Sequence, residues 1–374
     1  MAKVKLVLVG GFLGAGKTTL LARAAESLTA RRLRVGLVTN DQAANLVDTE
    51  ILRQAGREVK EVSGACFCCA FNKLLYVCDN LIDLHHPDVI LGEPVGSCTD
   101  LSATVLQPLK KYCSDRFDLA PYSVLVDPGK LAETLSAGPA ADIVQAVRYI
   151  YRKQIQEADL VVVNKTDAVD TERLGEIVRA IGAEWPGIPV LAMSALNKTG
   201  VEAWVDLILS GGPAGQRVVD VDYDTYANGE AALGWLNAAV DLSARDPVDW
   251  NAVALAFVQR VQTESRRLDG QIAHVKILLT AQGGRLQINL TGNGGKPMVQ
   301  GALPSPSTHA TLVINARVQM SPEQLQAVVE DSLAEMAGNS IAVKVAEISS
   351  FRPGRPQPVH RLDCVLGQPG IAAR

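Results

Sequence analysis

Residues Gly11, Phe12, Leu13, Gly14, Ala15, Gly16, Lys17 and Thr18 fit the spacing G-x-x-x-x-G-K-[ST]. An apolar run precedes them and a helical pattern follows, the context in which such a loop cradles phosphates. Gly11, Gly14, Ala15 and Gly16 let backbone N–H groups curl round the anion, and the opening helix adds its partial positive charge. Lys17 is expected to reach the β- and γ-phosphates, Thr18 to ligate Mg²⁺ through its hydroxyl, and Thr19 to touch the α-phosphate. The bland rival is a glycine-rich turn that merely joins strand to helix.

A second loop reads Asn164, Lys165, Thr166, Asp167 at the end of an apolar run that starts after Asp159. The Asp167 carboxylate can accept two hydrogen bonds from the N1–H and N2–H₂ edge of guanine, a donor pair that adenine lacks. Asn164 can bond the base and brace neighbouring loops, while the stem of Lys165 covers the purine face. Ser194 and Ala195, in the Ser-Ala-Leu at the next strand end, are placed to offer a backbone N–H to guanine O6. Alone, four such residues are an ordinary polar turn; about 150 residues after a phosphate loop and at a strand end, they name GTP and GDP as the ligands.

Two acidic positions bear on Mg²⁺. Glu93 closes a strand and opens E-x-x-G, with Gly96 as the glycine. Its carboxylate can hold Mg²⁺ through a water, and the Gly96 N–H can bond the γ-phosphate, so that loss of that phosphate releases the loop. Asp41, just beyond another strand, can approach the Mg²⁺ shell or the attacking water. Either acid also reads as a simple strand-end cap. Lys17, Asp41 and Glu93 are the candidate catalytic groups.

Cys66, Cys68 and Cys69 sit in Ser-Gly-Ala-Cys-Phe-Cys-Cys. Adjacent Cys68 and Cys69 are poorly disposed to bond each other. Thiolates at this spacing can share one tetrahedral divalent metal, Zn²⁺ or Co²⁺. The fourth ligand is open: water, substrate, His85, His86 or Cys98. His85 and His86 read more simply as the polar end of a helix, and buried free cysteines packed as small hydrophobes are the rival for the cluster. Cys78 and Cys113 read as core.

These residues need a scaffold. Strand-like runs at Val4–Val9, Val35–Thr39, Val59–Val62, Val89–Leu91, Ser123–Val126, Leu160–Val163 and Val190–Met193 alternate with helical stretches at Thr18–Thr29, Asn72–Leu84, Thr171–Trp185 and Val201–Leu209. Continuous apolar strands separated by helices imply α/β architecture, a mostly parallel sheet with helices on both faces, whose ligands bind beyond the carboxyl ends of the strands. Every motif above falls at such an end. The Gly/Pro-rich stretch Ser210–Gln216 breaks the pattern. The division expected is a P-loop domain at 1–212, a linker at 213–225, a smaller α+β C-terminal domain at 226–350 and a proline-containing, loose tail at 351–374. In the C-terminal part, strands are expected at Leu233–Leu242, His274–Thr280, Arg285–Thr291, Thr311–Val318 and Ile341–Ile348. Helices are expected at Trp250–Arg267 and Ser321–Met336, the latter from a capping-box start.

Bulk properties narrow the partners. The chain of 374 residues has 48% hydrophobic and 20% charged residues and a net charge of -4. That is enough chain for two cores, with no basic surplus for nucleic acid or an anionic membrane. The apolar start is broken by glycines and ends in Lys17, unlike a signal peptide, and no run is long enough to span a bilayer. Of seven cysteines, six fall between Cys66 and Cys113, a poor disulfide framework. The expected location is the cytoplasm.

With these motifs in order, the chain resembles the CobW-like P-loop GTPases, a family of metal chaperones. Gly10–Leu21, the C-x-C-C at Cys66–Cys69, Glu93–Gly96 and Asn164–Asp167 carry the resemblance, which covers the N-terminal domain. The resemblance implies GTP hydrolysis coupled to delivery of a divalent metal to a client apoprotein or cofactor-biosynthesis enzyme, with a homodimer possible in principle. Where the family shows a segment like NEFGEVGID, Asn40–Asp48 reads NDQAANLVD: Asp41 can replace the first acid, but the second acidic position is Ala44. No proline follows Gly96 at the family's offset, and the C-terminal half lacks a clear match. With no Arg or Gln evidently placed to finish catalysis, turnover is expected to be slow alone. Two rivals remain: a GTP-dependent switch that loads an organic cofactor such as a corrinoid onto an enzyme, its cysteines structural or redox, and a small-molecule kinase, against which Asn164–Asp167 argues.

Overall fold

A computed structural model describes residues 3–41, 58–135, 142–337 and 340–367. The described residues divide into two units, one within residues 3–41, 58–229 and 355–367, the other within residues 230–354.

The first unit is built on a parallel sheet. Its strands are β1 (Val4–Gly11), β2 (Val35–Asp41), β3 (Glu58–Ser63), β4 (Val89–Glu93), β5 (Phe117–Leu119), β6 (Ser123–Val126), β7 (Leu160–Val163) and β8 (Val190–Ala192). The order is β3-β2-β4-β1-β6-β7-β8, with β5 also paired to β1. All these pairings are parallel. Parallel neighbours need crossovers, and the helices supply them: α1 (Lys17–Ala30), α2 (Phe71–His85), a π-helical turn at Ser102–Leu106 running into α3 (Gln107–Tyr112), α4 (Pro128–Leu135), α5 (Asp142–Glu157), α6 (Thr171–Glu184) and α7 (Val201–Ser210).

The apolar runs are strands because both of their faces are covered. On one face Val7, Val9, Leu37, Leu91, Leu125 and Val162 pack with Leu20, Leu21 and Leu28 of α1 and Trp204 and Ile208 of α7. Each such side chain contributes roughly 1.5–3 kcal/mol on burial. The one polar atom of Trp204 is satisfied: its Nε1–H donates to Ser123 Oγ at 3.0 Å.

The Gly/Pro-rich stretch expected as a linker lies with the first unit. The Asp159 carboxylate accepts the amides of Gly215 at 2.6 Å and Gln216 at 2.7 Å. The chain continues through α8 (Tyr223–Ala231), within which one unit gives way to the other. The tail is not loose. Residues 355–367 return to the first unit, where the amides of Val359 and Leu362 donate to the carbonyls of Cys68 and Ala103, each at 3.0 Å.

The second unit is an antiparallel sheet in the order β12-β11-β10-β13-β9-β14. Its strands are β9 (Gly234–Val248), β10 (Gln271–Ala281), β11 (Gly284–Leu290), β12 (Met298–Ala302), β13 (Ser307–Gln319) and β14 (Ile341–Phe351). Leu236, Ala238, Val240 and Leu242 alternate along β9 to face α9 (Trp250–Arg267) and α10 (Pro322–Ala337). The expected capping box is present: Ser321 N–H donates to Gln324 Oε1 at 3.1 Å, and Gln324 N–H donates to Ser321 Oγ at 3.2 Å. Among the described residues no helix is long and apolar enough to cross a membrane.

Candidate functional site

The carboxyl end of β1 turns into α1 without a side-chain cap, through Gly16 in the left-handed region at φ 96. A side chain at Gly16 would put its Cβ 2.3 Å from Asn164 Nδ2, so only glycine lets the two motifs approach. Lys17 Nζ donates to the Gly11 carbonyl at 2.8 Å. Thr18 Oγ1–H donates to Glu93 Oε1 at 3.2 Å, and Lys17 Nζ lies 3.9 Å from the same oxygen. Lys17, Thr18 and Glu93 are all buried. The structure therefore brings together the phosphate-loop lysine, the hydroxyl and the strand-end acid expected to work together. Thr19 follows them on α1.

Gly96 lies against the phosphate loop. A Cβ there would stand 2.8 Å from Leu13 Cδ2 and 3.2 Å from the Leu13 amide. Asp41 ends β2 opposite Ser63; its side chain lies outside the described part of the chain, as does the segment holding Ala44.

The loop Asn164–Asp167 is braced to the phosphate loop. Asn164 Nδ2–H donates to the Ala15 carbonyl at 2.8 Å, and Asn164 Oδ1 accepts the Ala195 amide at 2.9 Å. The Ala195 N–H expected for guanine O6 is thus directed at Asn164. Ser194 Oγ–H donates to Asp167 Oδ1 and accepts the Asn197 amide at 3.1 Å. Lys165, at φ 59, places its ammonium 2.7 Å from Asp127 Oδ2.

Asp127 was not singled out from sequence. It follows β6, receives the Gly129 amide at 2.9 Å and so starts α4. Burial opposes its ionisation, but the Lys165 charge prevails and holds the carboxyl below its usual range. Lys130, one turn on, donates to the Leu13 carbonyl at 3.0 Å. A strand-end Asp before Pro128 was the signal available.

The cysteine loop follows β3. Cys69 and Ala70 amides both donate to the Cys66 carbonyl, at 3.0 and 2.8 Å, so the loop is already wound when α2 begins. That winding gathers three sulfurs. Cys66 Sγ lies 3.0 Å from Cys68 Sγ and 3.3 Å from Cys69 Sγ, and Cys68 Sγ lies 3.7 Å from Cys69 Sγ. Cys66 and Cys68 are buried and Cys69 is half-buried. Hydrogen bonds with Cys68, Cys69 and Cys98 hold the Cys66 thiol well below its usual range. Facing the Cys66 thiolate, Cys69 is pushed up to about 11. Cys78, fully buried elsewhere, is pushed up to about 12 by desolvation.

Remote side chains position this loop. Asn40, buried at the end of β2, donates to the carbonyls of Val62 at 2.7 Å and Ala65 at 2.8 Å, and its Oδ1 accepts the Phe67 amide at 2.8 Å. Its neighbour Thr39 pairs with Glu93. The cysteine loop follows β3 and the Glu93 loop follows β4, the two strands that flank β2. From the tail, Gln357 N–H donates to Cys69 Sγ at 3.2 Å. The sequence marks Asn40 only as the first residue of the NDQAANLVD segment, and no local pattern in it marks Gln357.

Residues 5–188 match the family model described as CobW/HypB/UreG, nucleotide-binding domain. The zinc chaperone CobW of Pseudomonas aeruginosa is 25% identical over 241 residues, 57% of this chain and 64% of that protein. The zinc chaperone YeiR of Escherichia coli is 28% identical over 172 residues, 44% of this chain and 47% of that protein. The chain thus spans about half to two thirds of the length of these curated relatives. Among solved structures, Zn(II)-bound YjiA GTPase from E. coli is similar at 17% identity and a TM-score of 0.37, over 88% of this chain and 99% of that one. HypB from Helicobacter pylori in complex with nickel is similar at 19% identity and a TM-score of 0.39, over 55% of this chain and 86% of that one.

Proposed function

We propose, from the match of residues 5–188 to the nucleotide-binding domain model of the CobW/HypB/UreG family, that the protein binds and hydrolyses GTP in order to carry a divalent metal to a client. The observation that carries this reading is the convergence of three thiols on a loop tied, through Asn40, to the strand beside Glu93. A nucleotide-sensing loop and a metal-holding loop then share one support. Curated relatives of this domain are named zinc chaperones, which agrees with the donor set here. The client is an apoprotein or a cofactor-biosynthesis enzyme.

The residues fit their ligands. Zn–S bonds of about 2.3 Å in a tetrahedron put sulfurs roughly 3.8 Å apart. The observed separations of 3.0, 3.3 and 3.7 Å need only a small spreading to admit one ion. Zn²⁺ or Co²⁺ as cargo suits three sulfur donors. At the phosphate loop, the Thr18 hydroxyl and Glu93 carboxylate would hold Mg²⁺, which supplies charge neutralisation on the phosphates.

The chain's own groups do the rest. Lys17 and the loop amides take up negative charge on the β- and γ-phosphates as water attacks in line and GDP leaves. Glu93 and Asp41 orient water near the γ-phosphate. Asp167 reads the N1–H and N2–H₂ edge, Asn164 keeps the base loop and phosphate loop in register, and Lys165 lies over the base. Ser194 holds the Asp167 carboxylate in place.

Zinc titration of the protein loaded with a GTP analogue and with GDP tests the coupling. Affinities that differ between the two states are expected; equal affinities would leave the cysteines as a structural or redox element and favour an organic-cofactor loader. Asp167→Asn should shift preference from GTP toward xanthosine triphosphate. A bidentate base contact is worth about 1–3 kcal/mol, hence about five- to 150-fold. A wild-type protein that prefers ATP would sink the GTPase reading.

A further inference from the structure

Three thiols share the cysteine loop, and a tetrahedral ion takes a fourth ligand. The sequence left His85, His86 and Cys98 open. His85 closes α2 and His86 is its left-handed cap. The helix starts just after the cysteine loop and runs 15 residues, so at 1.5 Å per residue the histidines stand about 20 Å away along its axis.

Cys98 stands elsewhere. It is 1% exposed; its thiol hydrogen-bonds with those of Cys66 and Cys68 and stands just outside the group that Cys66, Cys68 and Cys69 form within 4.8 Å of one another. It belongs to the loop that begins at Glu93 and presses Gly96 against Leu13 of the phosphate loop. That loop is clamped from α5. Gln154 Nε2–H donates to the Gly96 carbonyl at 3.0 Å and the Cys98 carbonyl at 2.8 Å. Glu157, one turn on, accepts the Ser102 amide at 2.9 Å. A cysteine packed only as a small hydrophobe would meet apolar neighbours; this one meets two thiols.

We propose that Cys98 is the fourth thiolate of the metal site, so that the loop sensing the γ-phosphate contributes a ligand to the cargo directly. The inference rests on the metallochaperone reading above and deepens it. Cys66, Cys68 and Cys69 form a fixed three-thiolate base, and Cys98 is the ligand that movement of the E-x-x-G loop gives or withdraws. No relay of intervening residues is needed to link the two sites.

Zinc K-edge X-ray absorption of the wild-type full chain, loaded anaerobically with one equivalent of zinc, decides the ligand count without any variant. Four sulfur neighbours are expected. Three sulfurs with one nitrogen or oxygen would overturn the proposal while leaving the metal-binding reading intact, and absence of bound zinc would overturn both. Cobalt titration gives the second readout. Sulfur-to-cobalt charge-transfer absorption should fall by about a quarter in Cys98→Ser, as one of four thiolates is lost. Cys78→Ser, at a buried thiol outside the cluster, should leave it unchanged. Unchanged absorption in a folded Cys98→Ser protein would overturn the assignment. The zinc affinity difference between the GTP-analogue and GDP forms should also collapse in Cys98→Ser.

Discussion

The phosphate loop and the cysteine loop hang from one sheet and are held in different ways. The first is built from consecutive residues: Lys17 folds back on the Gly11 carbonyl and Gly16 opens the helix. The second is wound locally but aimed by residues far off in the chain, Asn40 and Gln357, while Gln154 and Glu157 hold the neighbouring segment of Cys98. Phosphate binding needs backbone amides in a fixed nest, which a short motif can encode alone. A metal site that answers to nucleotide state needs ligands on elements that move apart, so its parts must come from different segments.

If the two are separately built, damage to one should spare the other. On the proposed mechanism, Lys17→Ala removes the cation that takes up the developing charge on the γ-phosphate. Loss of one such group costs about a hundred- to a thousandfold in turnover, and single-turnover GTP hydrolysis would read it. Zinc stoichiometry should be unchanged. Loss of zinc along with hydrolysis would show that the sites fold as one and break the contrast.

The next effect concerns the tail. Asp100 is fully buried and meets Arg361 Nε at 2.7 Å and the Tyr223 hydroxyl at 2.7 Å. Burial still raises its carboxyl above the usual range against both partners. Arg361→Ala leaves this acid without its cation, at a cost of about 1.5–3 kcal/mol. Hydrogen exchange at the amides of Val359 and Leu362 should quicken accordingly. Unchanged exchange would mean that the backbone bonds to Cys68 and Ala103 hold the tail alone.

The same contrast explains what could be read in advance. The strands Ser123–Val126 and Leu160–Val163 and the helix Trp250–Arg267 lie where expected, because unbroken apolar runs and helical periodicity are local signals. β5 has three residues and β12 exposes Met298 and Val299, too short or too wet to carry a pattern. The helices α4 and α5 went unmarked, and with them Gln154 and Glu157. A buried polar residue on a helix has no spacing that distinguishes it from a solvated one. Prolines made the tail read as unstructured, whereas the amides of Gln357, Val359 and Leu362 that lie between and beyond them carry its hydrogen bonds.

The last effect tests how the Cys98 loop is anchored. Glu157 is fully buried, and desolvation pushes its carboxyl well above the usual range despite the Ser102 amide. In an unfolded chain a glutamate titrates near pH 4.3. As pH rises past that value the unfolded state gives up a proton that the folded state keeps. Stability therefore falls from about pH 4.3 upward until the folded carboxyl itself ionises, by at most about 1.4 kcal/mol per pH unit. Glu157→Gln cannot titrate, yet its amide oxygen can still accept the Ser102 N–H. Urea unfolding should find the two proteins alike near pH 4, with the variant gaining on wild type as pH climbs. Parallel curves would mean that Glu157 is ionised in the fold and holds the helix behind Cys98 by charge. The remote clamp would then resemble the phosphate loop, a charge against backbone amides, and the difference between the two regions would narrow to one of sequence distance.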